Sequence, residues 1–390
     1  MKKTVCTLLI ALGSLCVVPA PVAQTPQTSL VGPLDRTVIA ERQFGRASFV
    51  VARGLTIEVG NRSVGPIIIN GWSQDVIAAH AMSARGDEVV IVHASETAAG
   101  KKLFLKADYA DLAMPTAPTT RAVETPPFAD NRPLEIQLEI KVPRYAEIER
   151  ITVIRSKVEI SDVDTSITIN GDRSSVILKR IGGVEVHTRS GTVEIEGAKG
   201  LVQVETLNGA IRVINTRAAV HAVSIGGPIE VRCASDRVDV ANTDAPIEVI
   251  NAEGDVDAVA ANSSVRFTGD LRDDRRYYLK SMSGRVEMIL PASTHGFTAI
   301  LSSYRGLVET DFALKSKDPL RAGIFNRRVI GRYGNGKAQI TLDSFEGLVR
   351  LTKLTGASLE RCQLEKSRRD RPSCCESRQM TPLSDRLGAR

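Results

Sequence analysis

Between residues 184 and 268 the chain repeats one pattern of hydrophobic and polar positions every eighteen residues. Each repeat holds two short stretches of alternating apolar and polar residues, separated by a turn. Alternation with a period of two places the apolar side chains on one face of a β-strand. The pattern therefore predicts two strands per repeat with an inward aliphatic face. The four apolar columns are Val184, Val202, Val220, Val238, Val256; Val186, Val204, Ala222, Val240, Ala258; Val193, Ile211, Ile229, Ile247, Val265; and Ile195, Val213, Val231, Val249, Phe267.

The turns keep their chemistry from repeat to repeat as well. Asn, Asp and Gly tolerate the unusual backbone of a tight corner, and they dominate the column Ser190, Asn208, Gly226, Asp244, Asn262. A second polar column consists of Thr188, Thr206, Ser224 and Asn242. Its side chains are able to carry hydrogen bonds from one turn to the next.

Matching columns imply that equivalent residues stack directly above one another, about 4.8 Å apart. This predicts an all-β fold, a parallel β-solenoid with about 18 residues per coil and two short strands per coil. An antiparallel meander, sandwich, barrel or propeller is the alternative. Those folds do not require equivalent residues to stack, so they do not account as well for the repeated turn residues and the constant register of both strand faces.

The pattern predicts four segments along the chain. Residues 134–355 form the solenoid, and residues 24–133 form an irregular β cap that ends in a Pro-rich linker. Near the end of the solenoid, "YRGLVET" and "FEGLVRL" predict later coils separated by a loop at about 311–333. This loop is either a recognition element or a neutral surface insertion. Residues 356–390 are predicted to be a disordered basic tail.

The N-terminus predicts export from the cytoplasm. Residues 1–23 combine a basic start with a short apolar run, which is typical of a signal peptide. A lipoprotein anchor at Cys16 and an uncleaved N-terminal anchor are the alternatives. No later apolar stretch is long enough for a membrane span, so we expect none after signal removal. The predicted location is the periplasm, the cell surface or the medium.

Charge argues against a nucleic-acid partner. The net charge is +6, but Lys2, Lys3 and the segment 360–390 supply all except one of these charges. A nucleic-acid-binding protein would carry its excess positive charge on the folded body.

The sequence offers few candidate residues for catalysis or metal binding. Four cysteines remain after signal removal, Cys233, Cys362, Cys374 and Cys375, and their spacing matches no zinc template. They allow three disulfide pairings, or they are incidental thiols. Asp239 and Asp257 stack in one column, but His221 shares that column, so it has the composition of a solvated face. We therefore predict no cofactor, no metal and no catalysis.

Six residues are candidate surface contacts. Five occupy a single outward column of the repeats: Glu194, Arg212, Glu230, Glu248 and Arg266. The sixth, Trp72, is the only tryptophan of the chain. Its ring either stacks on a sugar or packs beside the Gly71 turn.

The order of several phrases resembles a bacterial "putative adhesin" family of β-strand repeats. These phrases are "LTIEVGNRSVGPIIINGW", "LEIQLEIKVP", the "SGTVEI"-like repeats and "YGNGKAQITLDSFEGLVRL", and the resemblance covers roughly residues 37–353. The resemblance implies a β-solenoid outside the cytoplasm, and it brings no known binding residues. We therefore predict an exported, non-catalytic module that binds an envelope protein or glycan. A structural envelope scaffold is the alternative, and a carbohydrate-active β-helix enzyme is less favoured.

Overall fold

The structure is a computed structural model that describes residues 39–44, 46–50, 55–61, 65–83, 89–96, 102–109, 135–315 and 327–354. Within these ranges the regular secondary structure consists of 29 β-strands in two sheets, without a helix. The predicted signal peptide, Pro-rich linker and basic tail lie outside the described residues. The all-β prediction is confirmed.

The strands alternate between the sheets over most of the chain. The first eight are β1 (Ile39–Phe44), β2 (Arg46–Val50), β3 (Thr56–Asn61), β4 (Ile67–Trp72), β5 (Val76–Ser83), β6 (Val89–Glu96), β7 (Lys102–Tyr109) and β8 (Ile136–Pro143). The next sixteen are β9 (Glu147–Ile154), β10 (Lys157–Ser161), β11 (Ile167–Asp172), β12 (Ser175–Lys179), β13 (Val184–Thr188), β14 (Val193–Glu196), β15 (Val202–Thr206), β16 (Ile211–Thr216), β17 (Val220–Ser224), β18 (Ile229–Ala234), β19 (Val238–Asn242), β20 (Ile247–Ile250), β21 (Val256–Ala260), β22 (Val265–Thr268), β23 (Arg276–Ser281) and β24 (Val286–Leu290). The last five are β25 (Gly296–Ser303), β26 (Val308–Thr310), β27 (Arg327–Gly334), β28 (Ala338–Ser344) and β29 (Val349–Lys353).

Each coil of the repeat contributes one strand to each sheet. We call the sheet of β9, β11 and their equivalents sheet A, and the sheet of β10, β12 and their equivalents sheet B. Neighbouring coils pair in parallel and in the register of the sequence repeat, so that Val220 lies between Val202 and Val238. The parallel β-solenoid with two strands per coil is therefore confirmed.

The aliphatic columns fill the space between the sheets. Val238 and Val240, for example, are 0% and 1% exposed, whereas Asp239 between them faces outward. All four columns belong to one continuous hydrophobic core. β-Branched side chains suit this core because they pack well on a pleated surface and stack on copies of themselves.

The second polar column lies inside the corner that leads from sheet A to sheet B. The Ser224 hydroxyl accepts a hydrogen bond of 3.0 Å from the Gly227 amide and donates one of 3.4 Å to the Gly209 carbonyl. One coil on, Asn242 Nδ2 donates to the Gly227 carbonyl at 2.6 Å. Gly227 leaves room for this close stacking, since a Cβ atom there would lie 1.9 Å from the Gly209 oxygen. The predicted hydrogen-bond ladder is confirmed.

A column of left-handed residues ends the second strand of successive coils. Positive φ angles occur at Asp162, Arg180, Gly197, Asn215, Cys233 and Asn251. Cys233 is disulfide-bonded and is the only cysteine among the described residues. Cys362, Cys374 and Cys375 lie outside them, so the predicted pairings stay open.

The coils at the two ends do not stack in chain order. The β28/β29 coil lies between β23/β24 and β25/β26, and the β3/β4 coil lies between β7/β8 and β9/β10. The two later phrases therefore form coils as expected, but in reversed spatial order. The interior of β28/β29 is aliphatic and fits between two coils, whereas the β25 coil carries Phe297, which helps to close the end of the core.

Antiparallel strands cover the N-terminal end. β5 pairs with β8 and β2, and β6 pairs with β7 and β1. Of these, β1, β2, β5 and β6 form the irregular β cap. Closing a solenoid with strands of opposite direction protects its stack from unwanted edge pairing.

The predicted 311–333 loop is wrong for the part of it that the structure describes. Phe312 is buried and packs on Phe297 and Tyr333, with ring centroids 5.2 and 5.0 Å apart. Arg327–Gly334 form strand β27, which pairs antiparallel with β25. These residues close the C-terminal end of the core, and residues 316–326 lie outside the description.

Among the described residues, none forms a helix with the length and hydrophobicity that crossing a membrane requires.

Candidate binding surfaces

The five predicted repeat residues lie in one row on the outer face of sheet B. The strand register places Glu194 beside Arg212, then Glu230, Glu248 and Arg266. The row continues through Glu287, Arg350 and Glu309 of the last coils. We call these eight residues the charged row.

Ion pairs within this row neutralise part of its charge. The Arg212 guanidinium lies 2.9 Å from Glu230, and that of Arg266 lies 3.1 Å from Glu287. Arg350 donates to Glu309 at 2.6 Å, and this hydrogen bond raises the pKa of Arg350. The Arg350–Glu309 pair is exposed on both sides, and such pairs contribute only about 0–1 kcal/mol, whereas the Arg266 pair involves the buried Glu287. A partner would have to compete with these contacts, so the charged row by itself is a weak binding surface.

Trp72 lies at the N-terminal end of the same face, and its ring packs beside the turn that follows it. Its indole Nε1 donates to the Val76 carbonyl at 2.7 Å, which fixes the ring beside the turn. The ring is only half-buried, and Lys141 Nζ lies 5.8 Å from its centroid. Trp72 lines an open cavity of about 530 Å³ together with residues of β2, β5 and β8.

On the outer face of sheet A, acidic and histidine side chains share neighbouring positions. Burial, and then the charge of the adjacent Asp239, raise the pKa of Asp257. His187 lies between two carboxylates, 3.0 Å from Glu185 and 3.2 Å from Glu205. No group of His, Cys, Asp or Glu in the described ranges has an arrangement that could hold a metal ion.

A row of exposed apolar side chains runs along the outside of the polar corner. We call it the corner ridge, and its members in spatial order are Leu207, Ile225, Met282, Phe345 and Tyr304, with Thr243 and Ala261 between Ile225 and Met282. At its C-terminal end the Phe345 and Tyr304 rings are stacked, with centroids 4.9 Å apart and planes inclined by 9°. Arg305 lies 5.6 Å from the Phe345 ring.

The corner ridge was not predicted from the sequence repeats. Each member directly follows a buried polar residue of the corner column, as Leu207 follows Thr206 and Phe345 follows Ser344. The ridge could have been predicted from this position in the sequence, because a residue next to an inward side chain at a tight corner must point outward. The last two members belong to coils whose spatial order differs from chain order, so their adjacency needed the structure.

The sequence matches no protein-family model and no curated protein. Three solved structures are similar in outline. One is described as a "putative cell adhesion protein" from Clostridium sporogenes, with 10% identity, coverage of 80% of this chain and 100% of that chain, and a TM-score of 0.17. A "putative lipid binding protein" from Parabacteroides distasonis has 12% identity, coverage of 78% and 96%, and a TM-score of 0.31. A "putative adhesin" from Bacteroides fragilis has 11% identity, coverage of 80% and 97%, and a TM-score of 0.24. At these TM-scores the similarities carry no argument about function.

Proposed function

We propose that this protein is an exported, non-catalytic binding module that attaches to a protein of the bacterial envelope through the corner ridge. The observation that carries the proposal is the exposure of large apolar side chains along one edge, where Thr243 and Ala261 separate a group of two from a group of three. Leu207, Ile225, Met282, Phe345 and Tyr304 are each 42–51% exposed. Contiguous exposed apolar surface marks interaction sites more often than scattered residues do.

Energetics favour the corner ridge over the charged row as an adhesive surface. Burying apolar surface contributes roughly 25 cal/mol per Å², and the corner ridge has few polar groups to desolvate. On binding a partner, the side chains of the charged row would lose hydrogen bonds to water, and their ion pairs would be disrupted. Neighbouring coils also hold the solenoid backbone on both sides. Binding therefore costs little backbone conformational entropy.

A ridge variant tests the proposal. Leu207→Ser, Ile225→Ser and Met282→Ser combined should reduce binding of the purified protein to isolated bacterial envelope fragments at least tenfold. Pretreating the fragments with protease should abolish the wild-type binding. The matched control, Arg212→Ala with Glu230→Ala, should bind within about threefold of wild type, since exposed ion pairs contribute little. Equal binding by the ridge variant and the wild type, with both folded in thermal melts, would contradict the proposal.

Export and the absence of catalysis are further parts of the proposal. Protein isolated from the host should lie outside the cytoplasm and lack about the first two dozen residues. Incubation with polysaccharides and peptidoglycan fragments should release no product. Steady product release that is lost in a single Asp or Glu variant would instead favour an enzyme.

A structural scaffold remains the second candidate function. Strand β26 ends sheet B and, among the described residues, pairs with a strand on one side only. Such an edge could accept a strand of another molecule. Sedimentation of the full chain distinguishes the two functions, because a stacking scaffold forms concentration-dependent oligomers whereas a binding module sediments independently of its own concentration.

A further inference from the structure

The cavity beside Trp72 holds cationic side chains that differ from those of the charged row. In the described part of the chain, Arg46 and Lys141 take part in no ion pair. Farther along the same outer face, Arg212 and Arg266 each lie against a carboxylate. The positive charges of Arg46 and Lys141 are therefore available to a ligand in the cavity.

Strand pairing in the N-terminal cap builds the cavity. Across β2, β5 and β8, one outward row reads Arg46, His80 and Glu139. The next row reads Ser48, Ala78 and Lys141. The small Ala78 side chain leaves a depression between its larger neighbours. Six side chains surround this depression: Arg46, Ser48, Trp72, His80, Glu139 and Lys141.

The side chains around the cavity divide into three chemical kinds. The half-buried indole of Trp72 offers a flat apolar surface, and its bond to the Val76 carbonyl holds the ring in place. Arg46 and Lys141 offer positive charge. Ser48, His80 and Glu139 offer hydrogen-bonding groups, and Glu139 is held by a 2.7 Å bond from Gln137 Nε2.

We propose that this cavity binds an acidic saccharide. The C–H groups of the sugar ring pack on the indole of Trp72, and its carboxylate pairs with Arg46 and Lys141. The sugar hydroxyls bond to Ser48, His80 and Glu139. A flat apolar surface beside hydrogen-bonding groups suits a sugar ring, and the unpaired cations select for an acidic one. This site is separate from the corner ridge and does not depend on it.

The only tryptophan of the chain reports on the site directly. Trigalacturonate is the probe, and its fully methyl-esterified form is a neutral ligand of nearly the same shape. Titration of the full chain with trigalacturonate should change Trp72 fluorescence saturably. The methyl ester should bind at least tenfold more weakly, and affinity for the acid should fall with added salt.

Variants then test the assigned residues. Arg46→Gln combined with Lys141→Gln should weaken trigalacturonate binding at least tenfold while leaving the thermal melt unchanged. Arg212→Gln, which removes a paired cation of the charged row, should bind like the wild type. The corner-ridge variant should also keep the fluorescence response, so the two proposals can fail independently.

Any of four results would overturn the acidic-saccharide site. The first is the absence of a saturable fluorescence change with trigalacturonate. The second is equal affinity for the acid and its ester. The third is wild-type affinity in the Arg46→Gln, Lys141→Gln variant. Binding of a carboxylate peptide with higher affinity than trigalacturonate would also overturn it and point to a protein ligand.

Discussion

The hydroxyl of Ser344 donates a 3.0 Å hydrogen bond to the carbonyl oxygen of Gly284, which lies 60 residues earlier in the chain. Ser303 in turn donates to the Gly347 carbonyl at 2.8 Å. The polar corner ladder thus continues through the coils in their spatial order, β23/β24, β28/β29 and then β25/β26. The β28/β29 coil comes later in the chain but lies inside the stack. The earlier β25/β26 coil forms the end of the stack.

Engineered disulfides should report this inverted order. Lys280 and Asp343 are paired in register on adjacent strands, whereas Ser302 lies one strand farther on. Adjacent strands lie about 4.8 Å apart, and cysteines whose Cα atoms are more than about 7 Å apart cannot be bridged without distortion. Lys280→Cys with Asp343→Cys should therefore form a disulfide, detected by mass spectrometry of unreduced peptides. A disulfide in the Lys280→Cys, Ser302→Cys variant instead would indicate stacking in chain order.

Ser344→Ala should lower the free energy of unfolding by about 1–3 kcal/mol. The Ser344 hydroxyl accepts a hydrogen bond from the Gly347 amide and donates to Gly284, and the variant leaves both backbone groups without this partner in a buried corner. Urea denaturation measures the change. Ser283→Ala, in the exposed part of the neighbouring corner, is the control and should change stability by less than about 0.5 kcal/mol. Equal effects of the two variants would show that the ladder contributes nothing.

Val238→Asp should unfold the repeats or destabilise them by more than about 4 kcal/mol. The side chain at this position is fully buried between stacked valines, so the variant would bury a charge with no partner. Asp239→Asn, one residue along and facing outward, should change the thermal melting temperature little. Two equally mild variants would contradict the assignment of inward and outward faces.

Asp257→Asn should raise the melting temperature at pH 7. Burial, together with the charge of Asp239, raises the folded-state pKa of Asp257, so its ionisation opposes folding at neutral pH. The penalty decreases as the pH falls through the folded pKa, and it is absent below the unfolded value of about 3.9. The advantage of the variant should therefore disappear near pH 3.

A matched variant on sheet B should change the melting temperature at pH 7 in the opposite direction. Glu230→Gln removes a carboxylate that lies 2.9 Å from Arg212, so it should slightly lower the melting temperature at pH 7. An Asp257→Asn effect that is negative at pH 7, or the same at both pH values, would contradict the repulsion between Asp239 and Asp257.

The candidate surfaces differ in how far the sequence could predict them. Glu194, Arg212 and Glu230 were expected to share one outward column, because an in-register repeat converts spacing along the chain into adjacency in space. The ion pairs within this row were not predicted, since side-chain rotamers decide which neighbours meet. Trp72 was singled out, but Arg46 and His80 were not. These two lie on antiparallel cap strands whose partners no repeat specifies.

The sequence by itself determined the repeating coil. Its period, inward columns, polar corner and the outward position of the charged row follow from alternation and spacing, which are local properties. Only the tertiary structure decided the order of the terminal coils, the burial of Phe312 across the end of the core and the cavity beside Trp72. These features depend on contacts between residues far apart in the chain. Such contacts are selected by how well side chains fit and close the core, and a short sequence pattern does not encode that fit.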